Sequence, residues 1–285
     1  MPTVVIIGGG PAGLSAAIYA VRANLDVTVL YTDGGALGKT DKIENYFGFP
    51  EVISGAELLA RGQAQATRLG ARLVQAEATG IEYAEKGFVV KSTAGGYPAD
   101  AVILATGAPR SVPSIAGVQE FEGRGVSYCA VCDAFFYRDK AVAVLGQGEY
   151  ALEEARVLLP VAASVTLLTN GSEPPADMPE GLAVDTRSVA AVEGSDKVER
   201  VSFAEGAPLA VDGVFIAYGT AGSGDFARKL GAQLDGNKIQ TDAAMATAVP
   251  GLFAAGDCTG GLLQVAKAVS DGAQAAMSAI RFVRQ

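Results

Sequence analysis

Thr3-Val4-Val5-Ile6-Ile7 is an unbroken β-branched run. It ends in Gly8-Gly9-Gly10-Pro11-Ala12-Gly13 and gives way to an Ala-rich amphipathic segment at 14–22 and a second apolar run at 27–31. β-Branched residues favour strands, and a helical period after a glycine turn specifies a β–turn–α–β unit. The turn satisfies G-x-G-x-x-G, a pattern with little weight alone. Between a strand and a helix, with the acid Asp33 about 20 residues beyond the last glycine, it becomes specific. Glycines let the main chain approach a pyrophosphate, and the helix amino terminus adds unpaired N–H groups and a favourable dipole. A dinucleotide is expected at Gly8, Gly10, Pro11, Ala12 and Gly13, with Asp33 as the acid of the fingerprint.

The same order recurs from residue 140: strand 141–145, turn Gly146-Gln147-Gly148-Glu149-Tyr150-Ala151, helix 152–159 and strand 164–168. This near-repeat predicts an α/β chain with two Rossmann-like modules. Further buried strands are expected at 101–108, 214–219 and 251–257, the last closing on Asp257 before a long Ala-rich helix. Pro174, Pro175 and Pro179 exclude a regular helix over 171–181. A length of 285 residues suits about two domains. The 36 glycines fit many tight turns, and a composition 49% hydrophobic and 19% charged can bury a substantial core. The formal charge of −9 argues against unspecific binding to nucleic acid or anionic membrane. No apolar run is long enough to span a bilayer. The first residues enter a strand without the basic-then-apolar pattern of a secretory leader, so a cytoplasmic setting is expected.

Two of the three cysteines stand in Cys129-Ala130-Val131-Cys132-Asp133. Thiols two residues apart can close a small ring and reopen it, storing two electrons, and in a reducing compartment such a pair is better explained by catalysis than by structure. Asp133 is placed to move the proton that thiol-to-thiolate conversion requires, since the thiolate is the reactive form. Its competing reading is a helix cap. A zinc site would need further ligands, and the chain has no histidine and one other cysteine. No metal is therefore expected. That other cysteine, Cys258, reads as a small buried filler, although its neighbour Asp257 leaves open a reactive role near a cofactor.

These elements together resemble the low-molecular-weight thioredoxin reductase family of flavoproteins over nearly the whole chain. Cys129 to Tyr137, C-A-V-C-D-A-F-F-Y, is close to its redox signature. Gly8 to Gly13 resembles its FAD pyrophosphate loop, Gly34-Gly35-Ala36-Leu37 and Glu44-Asn45-Tyr46 its flavin-contacting segments, and Ala105-Thr106-Gly107 its A-T-G turn. Gly256-Asp257 is similar to the pair that holds the ribityl chain, and Gln264-Val265 to the helix start that faces the isoalloxazine; Ala78 is placed among the cofactor contacts too. The resemblance implies one FAD per chain. It also implies a discontinuous FAD domain, 1–111 and 237–285, with an inserted, shortened NADPH-domain-like module at 112–236 carrying the dithiol. It further implies a homodimer, an insert that swings on hinges near 112–115 and 234–238, and thioredoxin or a thioredoxin-like protein as substrate. Cys132 would face the flavin and Cys129 would exchange with the target disulfide.

The insert departs from the family where NADPH is normally held. Tyr150 stands in place of a small hydroxyl residue, and Leu168-Thr169-Asn170-Gly171 in place of a histidine and paired arginines. A Pro-rich loop replaces the next helix, and Leu263 replaces an arginine before Gln264. A dianionic phosphate without arginine partners loses its main source of affinity. The expected function is an FAD-dependent disulfide reductase fed by a non-NADPH donor, resembling the ferredoxin-dependent flavin thioredoxin reductases. A −9 chain would need a focused basic surface to dock an acidic ferredoxin. The alternatives are a dithiol oxidase or diflavin oxidoreductase running in reverse, an atypical NAD(P)H-dependent thioredoxin reductase, and a redox-sensing flavoprotein. In the diflavin case Tyr31, Tyr46, Phe47 and Phe49 would stack on the second ring; ordinary core packing is the simpler expectation for them.

Overall fold

The computed structural model describes residues 1–107, 114–128, 130–218 and 222–285, with Val131 described through its backbone alone. The chain divides into two compact units, Met1–Arg110 with Gly222–Gln285, and Ser111–Ala221. The return to the first unit comes at Gly222 rather than 237. Side-chain hydrogen bonds account for this. Ser223 N donates to Thr106 Oγ1 at 2.8 Å, and Tyr83 OH donates to Leu230 O at 2.7 Å, so the helix Ser223–Lys229 is fastened at its start to the turn after the strand Ala101–Leu104 and at its end to the strand Ala78–Tyr83.

In the first unit, five parallel strands follow the order Leu252–Ala254, Ala101–Leu104, Thr3–Ile7, Asp26–Tyr31, Arg72–Gln75. The central strand is buried on both sides, which explains its unalternating apolar sequence. The helix Pro11–Arg22 and the C-terminal helix Val265–Phe282 pack on it through small side chains, among them Ala16, Ala17, Ala275 and Ala276. Their approach is close: a Cβ on Gly272 would stand 2.0 Å from Ala12 O, and Ser15 Oγ donates to Val269 O at 2.7 Å. A three-stranded antiparallel sheet, Ala78–Tyr83, Phe88–Ser92 and Gly95–Ala99, completes this unit's strands apart from the short pair Leu234–Asp235 and Lys238–Ile239.

The second unit repeats the plan. Its parallel sheet runs Leu182–Asp185, Ser164–Leu168, Ala141–Gly146, Gly213–Ala217, Val126–Ser127, beside the antiparallel strands Val189–Gly194, Val198–Phe203 and Leu209–Ala210. Its own core gathers Val126, Leu145, Leu168, Val201 and Val214. Each such fully buried aliphatic side chain contributes about 1.5–3 kcal/mol by transfer from water.

The repeat extends to atomic detail. A Cβ on Gly8 would stand 2.1 Å from Ala105 O, and one on Gly146 would stand 2.0 Å from Ala217 O. In each unit the first glycine of the turn is pressed against the end of the neighbouring strand. Both following helices begin earlier than the hydrophobic period suggests, at Pro11 and Gly148, because the later residues of each turn already adopt helical geometry and proline suits the first helical position. The strand expected at 101–108 stops at Leu104, and the one expected at 214–219 spans Gly213–Ala217; residues 108 and 219 lie outside the described set. No regular element lies between Leu168 and Leu182, as the prolines require. No helix among the described residues is long and apolar enough to cross a membrane.

Cys258 fills a space in the first unit's core, 2% exposed, its thiol directed at Leu104 O and Ala255 O at 3.5 and 3.3 Å. Burial pushes its pKa up to about 11, leaving about one thiolate in a thousand at pH 8. After reduction of the folded protein, iodoacetamide at pH 8 should therefore leave Cys258 unmodified. Mass spectrometry of the peptides would reveal it, and labelling of Cys258 at the rate of an exposed thiol would contradict its placement.

Candidate active site

The first unit gathers the residues singled out for a cofactor along one edge of its parallel sheet, beyond the strands' carboxyl ends. Thr3–Ile7, Asp26–Tyr31, Ala101–Leu104 and Leu252–Ala254 all point the same way and are followed there by Gly8, Thr32-Asp33, Ala105-Thr106-Gly107 and Ala255-Gly256-Asp257. Open α/β sheets bind ligands at such an edge. The helix behind Gly8–Gly13 starts at Pro11 with Gly10 as its cap, and no side chain covers its first turn. A Cβ on Gly10 would meet nothing within 4 Å, nor would one on Gly107. Ala12 lies against Gly256, and Gly13 against Gly8 O. This is an open cradle of uncapped N–H groups, suited to a pyrophosphate. It meets the steric and hydrogen-bonding needs of a dinucleotide such as FAD.

Two distant segments meet beside it: Asn45 Nδ2 donates to Gln264 Oε1 at 2.9 Å. Gln264 caps the 18-residue helix beginning at Val265 through its backbone only, so the first-turn N–H groups are not covered by its side chain. Gly35, Ala36 and Leu37 form a short helical turn, and Leu37 O fits into the space left by the missing side chain of Gly55. Asp33 Oδ1 accepts from Gly35 N at 2.8 Å, so this acid shapes the turn as well as standing at the sheet edge. Ala78 is buried at the start of its strand. Thr106 N donates to Ser223 Oγ at 3.1 Å, and the two hydroxyls are 2.7 Å apart. Ser223 was not expected, for nothing in its sequence surroundings distinguishes it. Phe47 departs from the core-packing expectation for the aromatic group: it is 99% exposed on the loop before Gly55, while Tyr46 and Phe49 stack at 6.0 Å. The loop carries Ile43 and Ile53 inward in its single β-bridge, leaving Phe47 at the tip.

In the second unit the strand Val126–Ser127 leads to the redox segment. Cys132 is exposed and disulfide-bonded, in the short helix Ala130–Asp133; Cys129 lies outside the described residues. Asp133 makes no side-chain cap. Its half-buried carboxylate accepts from Ser127 Oγ at 2.6 Å, which replaces the helix-cap alternative with a tether to the adjacent strand. Glu154, 1% exposed on the helix Gly148–Leu158, accepts from Ala130 N at 2.7 Å. The sequence carried a signal for it, since Glu154 falls four residues after Tyr150 and four before Leu158 on the buried face. Tyr137 packs edge-on against Phe215 at 5.1 Å, and its phenol pKa is raised by burial first and by Asp133 and Asp212 second. Phe135 and Phe136 are 72% and 66% exposed.

The second glycine turn is furnished differently from the first. Glu149 lies in the first turn of its helix, bonded at 2.6 Å to Arg156, which also binds Glu153 at 2.6 Å. Tyr150 is 1% exposed. At the end of Ser164–Leu168, Asn170 takes a left-handed φ of 49°. Its Nδ2 donates to Tyr218 OH at 3.0 Å and its Oδ1 accepts from Val189 N at 2.7 Å. Arg187 forks onto Asp185, holding that carboxyl below its ordinary pKa, and covers the Phe203 ring at 3.8 Å.

Residues 2–272 match the pyridine nucleotide-disulphide oxidoreductase family. The thioredoxin reductase of Treponema pallidum is 37% identical over 302 aligned residues, which cover 98% of this chain and 96% of the relative. Among solved structures, the atypical thioredoxin reductase TRi from Desulfovibrio vulgaris Hildenborough is 41% identical, with a TM-score of 0.93, covering 100% of this chain and 98% of that one. A ferredoxin-flavin thioredoxin reductase from Clostridium acetobutylicum is 31% identical, with a TM-score of 0.71 and coverage of 99% and 98%. Similarity of this extent, together with the repeated sheet and the disulfide-bonded Cys132, shows that the chain belongs to the pyridine nucleotide-disulphide oxidoreductases and, within them, to the low-molecular-weight thioredoxin reductases, which are flavin-dependent disulfide oxidoreductases.

Proposed function

We propose that this protein draws electrons from a one-electron iron–sulfur carrier of the ferredoxin type, in place of NADPH, and passes them through FAD and the Cys129/Cys132 pair to thioredoxin or a thioredoxin-like protein. The observation that carries the choice of donor is the state of the second glycine turn. Its helix amino terminus, the place for a pyrophosphate, already carries the Glu149 carboxylate, which a phosphate would meet as a like charge. Glu149, Glu153 and Arg156 together leave one negative charge beside it. At the strand end where a 2′-phosphate would sit, both polar atoms of Asn170 are bonded within the protein. The nearby Arg187 is engaged by Asp185. A related crystal structure is of a ferredoxin-flavin enzyme, and another of an enzyme termed atypical, which agrees with this reading.

Gly8, Gly10, Pro11, Ala12 and Gly13 would hold the pyrophosphate of FAD, Asp33 a ribose, Gly256 and Asp257 the ribityl chain, and Gly35, Ala36, Leu37, Asn45, Thr106, Gly107, Gln264 and Val265 the flavin, with Ala78 nearby. Bound FAD supplies a two-electron store that can be filled one electron at a time and emptied into a disulfide. Opening the Cys129–Cys132 bond consumes two electrons and two protons, and the Asp133 carboxyl, adjacent to Cys132 in sequence and bonded to Ser127, would deliver a proton. The Cys129 thiolate then attacks the target disulfide, forming one S–S bond as the target's own breaks. Cys132 displaces the target's remaining sulfur and restores the internal disulfide. Electrons balance, with one disulfide reduced in the target and one dithiol oxidised here.

Anaerobic titration followed at the visible flavin band separates the donors. Reduced ferredoxin should bleach it fully with about four equivalents per FAD, two for the flavin and two for the disulfide it feeds, whereas NADPH and NADH should leave it coloured on the same timescale. Fast stoichiometric bleaching by NADPH would refute the donor proposed here, and two FAD per polypeptide would refute the single-flavin reading.

Asp133→Asn should slow thioredoxin reduction by about 10²-fold or more, the range for loss of a general acid. Ser127→Ala should slow it by about ten-fold, consistent with losing one hydrogen bond to a charged group. Rates in multiple turnover with the reduced donor, where the internal disulfide must be opened in every cycle, would show this order, and a Ser127→Ala effect as large as that of Asp133→Asn would contradict the tether.

A further inference from the structure

Lys267 and Asp271 lie one turn apart on the C-terminal helix Val265–Phe282 of the first unit, outside every motif in the sequence. Lys267 Nζ donates to Gly256 O at 2.9 Å, Thr259 Oγ1 at 2.9 Å and Gly260 O at 2.5 Å. It also lies 2.7 Å from Asp271 Oδ2. Asp271 is 8% exposed, and the same oxygen accepts from Gly256 N at 3.1 Å. The ion pair therefore grips both backbone polar groups of Gly256.

That grip acts on a turn with little freedom of its own choosing. Gly256 sits at φ 84° and ψ −151°, and Gly260 at φ 78° and ψ −156°, a region that residues with a side chain essentially do not enter. A Cβ on Gly256 would stand 2.9 Å from Ala12 Cβ, in the first turn of the helix behind the glycine loop. An ammonium has three protons to give, and here four acceptors surround it. A neutral side chain at 267 would leave two carbonyls without this donor and a buried carboxylate without a cation, the costly half of a broken buried pair.

We propose that Lys267, paired with Asp271, is the positioning residue of the flavin-binding turn. It fixes Gly256–Gly260 so that Asp257 and the uncapped start of the C-terminal helix are presented to the cofactor in one register with the glycine loop at Ala12. This rests on the reading above that the turn contacts FAD.

The test compares the wild-type protein with Lys267→Met and Lys267→Arg. The FAD dissociation constant is measured by flavin fluorescence after cofactor removal and re-addition, the shape of the visible flavin band is recorded, and circular dichroism monitors the fold. Lys267→Met should raise the dissociation constant at least about ten-fold, equivalent to about 1.4 kcal/mol, and broaden the flavin band. Lys267→Arg should restore binding to within about three-fold, because the cation returns. An unchanged dissociation constant in Lys267→Met, or equal weakening in both variants, would overturn the assignment. Should Lys267→Met fail to fold, Asp271→Asn decides the matter: it is expected to weaken FAD binding about three-fold or more, and unaltered binding there would overturn the proposal. Wild-type protein that takes up no FAD would overturn the flavin reading of the turn itself, a distinct result from weakened binding in a variant.

Discussion

The contact between a glycine without a side chain and the end of a neighbouring strand underlies everything else in both units. Gly8 against Ala105 O, and Gly146 against Ala217 O, leave no room for a methyl group. With the glycine there, the chain can leave its strand, turn at once and enter a helix whose amino terminus stands at the sheet edge. Without it, the turn would be pushed outward and the helix start withdrawn from the edge. In the first unit the result is an open cradle of N–H groups. In the second the same backbone is kept, while the side chains placed on it differ.

That difference is one of charge and hydrogen-bond capacity. The first cradle has no acid in the first helical turn and no side-chain cap, so its positive end is available to an anion. The second carries Glu149 at the equivalent place and an Asn170 committed at both ends. A parallel sheet whose central strand is buried cannot be dismantled when a ligand is lost, because its core stabilises the unit independently of the ligand. The glycine turn belongs to the fold itself, whichever side chains stand on it.

Much of this was legible in the sequence, and the reasons are local. The β-branched run at Thr3–Ile7, the glycines after it and the Ala-rich helix each specify their own conformation within a few residues, and the repeat at Ala141–Gly146 does so again. The proline spacing over 171–181 excluded a helix for steric reasons alone. Hidden were the partners set by tertiary packing. Ser127 and Asp133 are six residues apart, and Thr106 and Ser223 are 117 apart; nothing in the identity of either serine announces which oxygen it will face. Phe47 was misjudged because an aromatic residue within an apolar-looking loop is expected inward. Here Ile43 and Ile53 fill the inward positions and leave the ring at the tip.

Glu154 shows how the second unit's retained helix has a use beyond its turn. A carboxylate 1% exposed is costly unless it is hydrogen-bonded, and Ala130 N supplies one such bond at 2.7 Å. Ser127 on one side and Glu154 on the other thus hold the segment Ala130–Asp133 through two short contacts, one to its carboxylate and one to its first amide. A dithiol catalyst needs its sulfurs in a defined geometry through repeated opening and closing, since exchange rates depend on which sulfur is attacked and on access to it. The strand Val126–Ser127 and the helix Gly148–Leu158 are both built on the glycine-turn sheet. Loss of that sheet would release both clamps, so the geometry of the redox segment depends on the same glycine-turn sheet that builds the second unit.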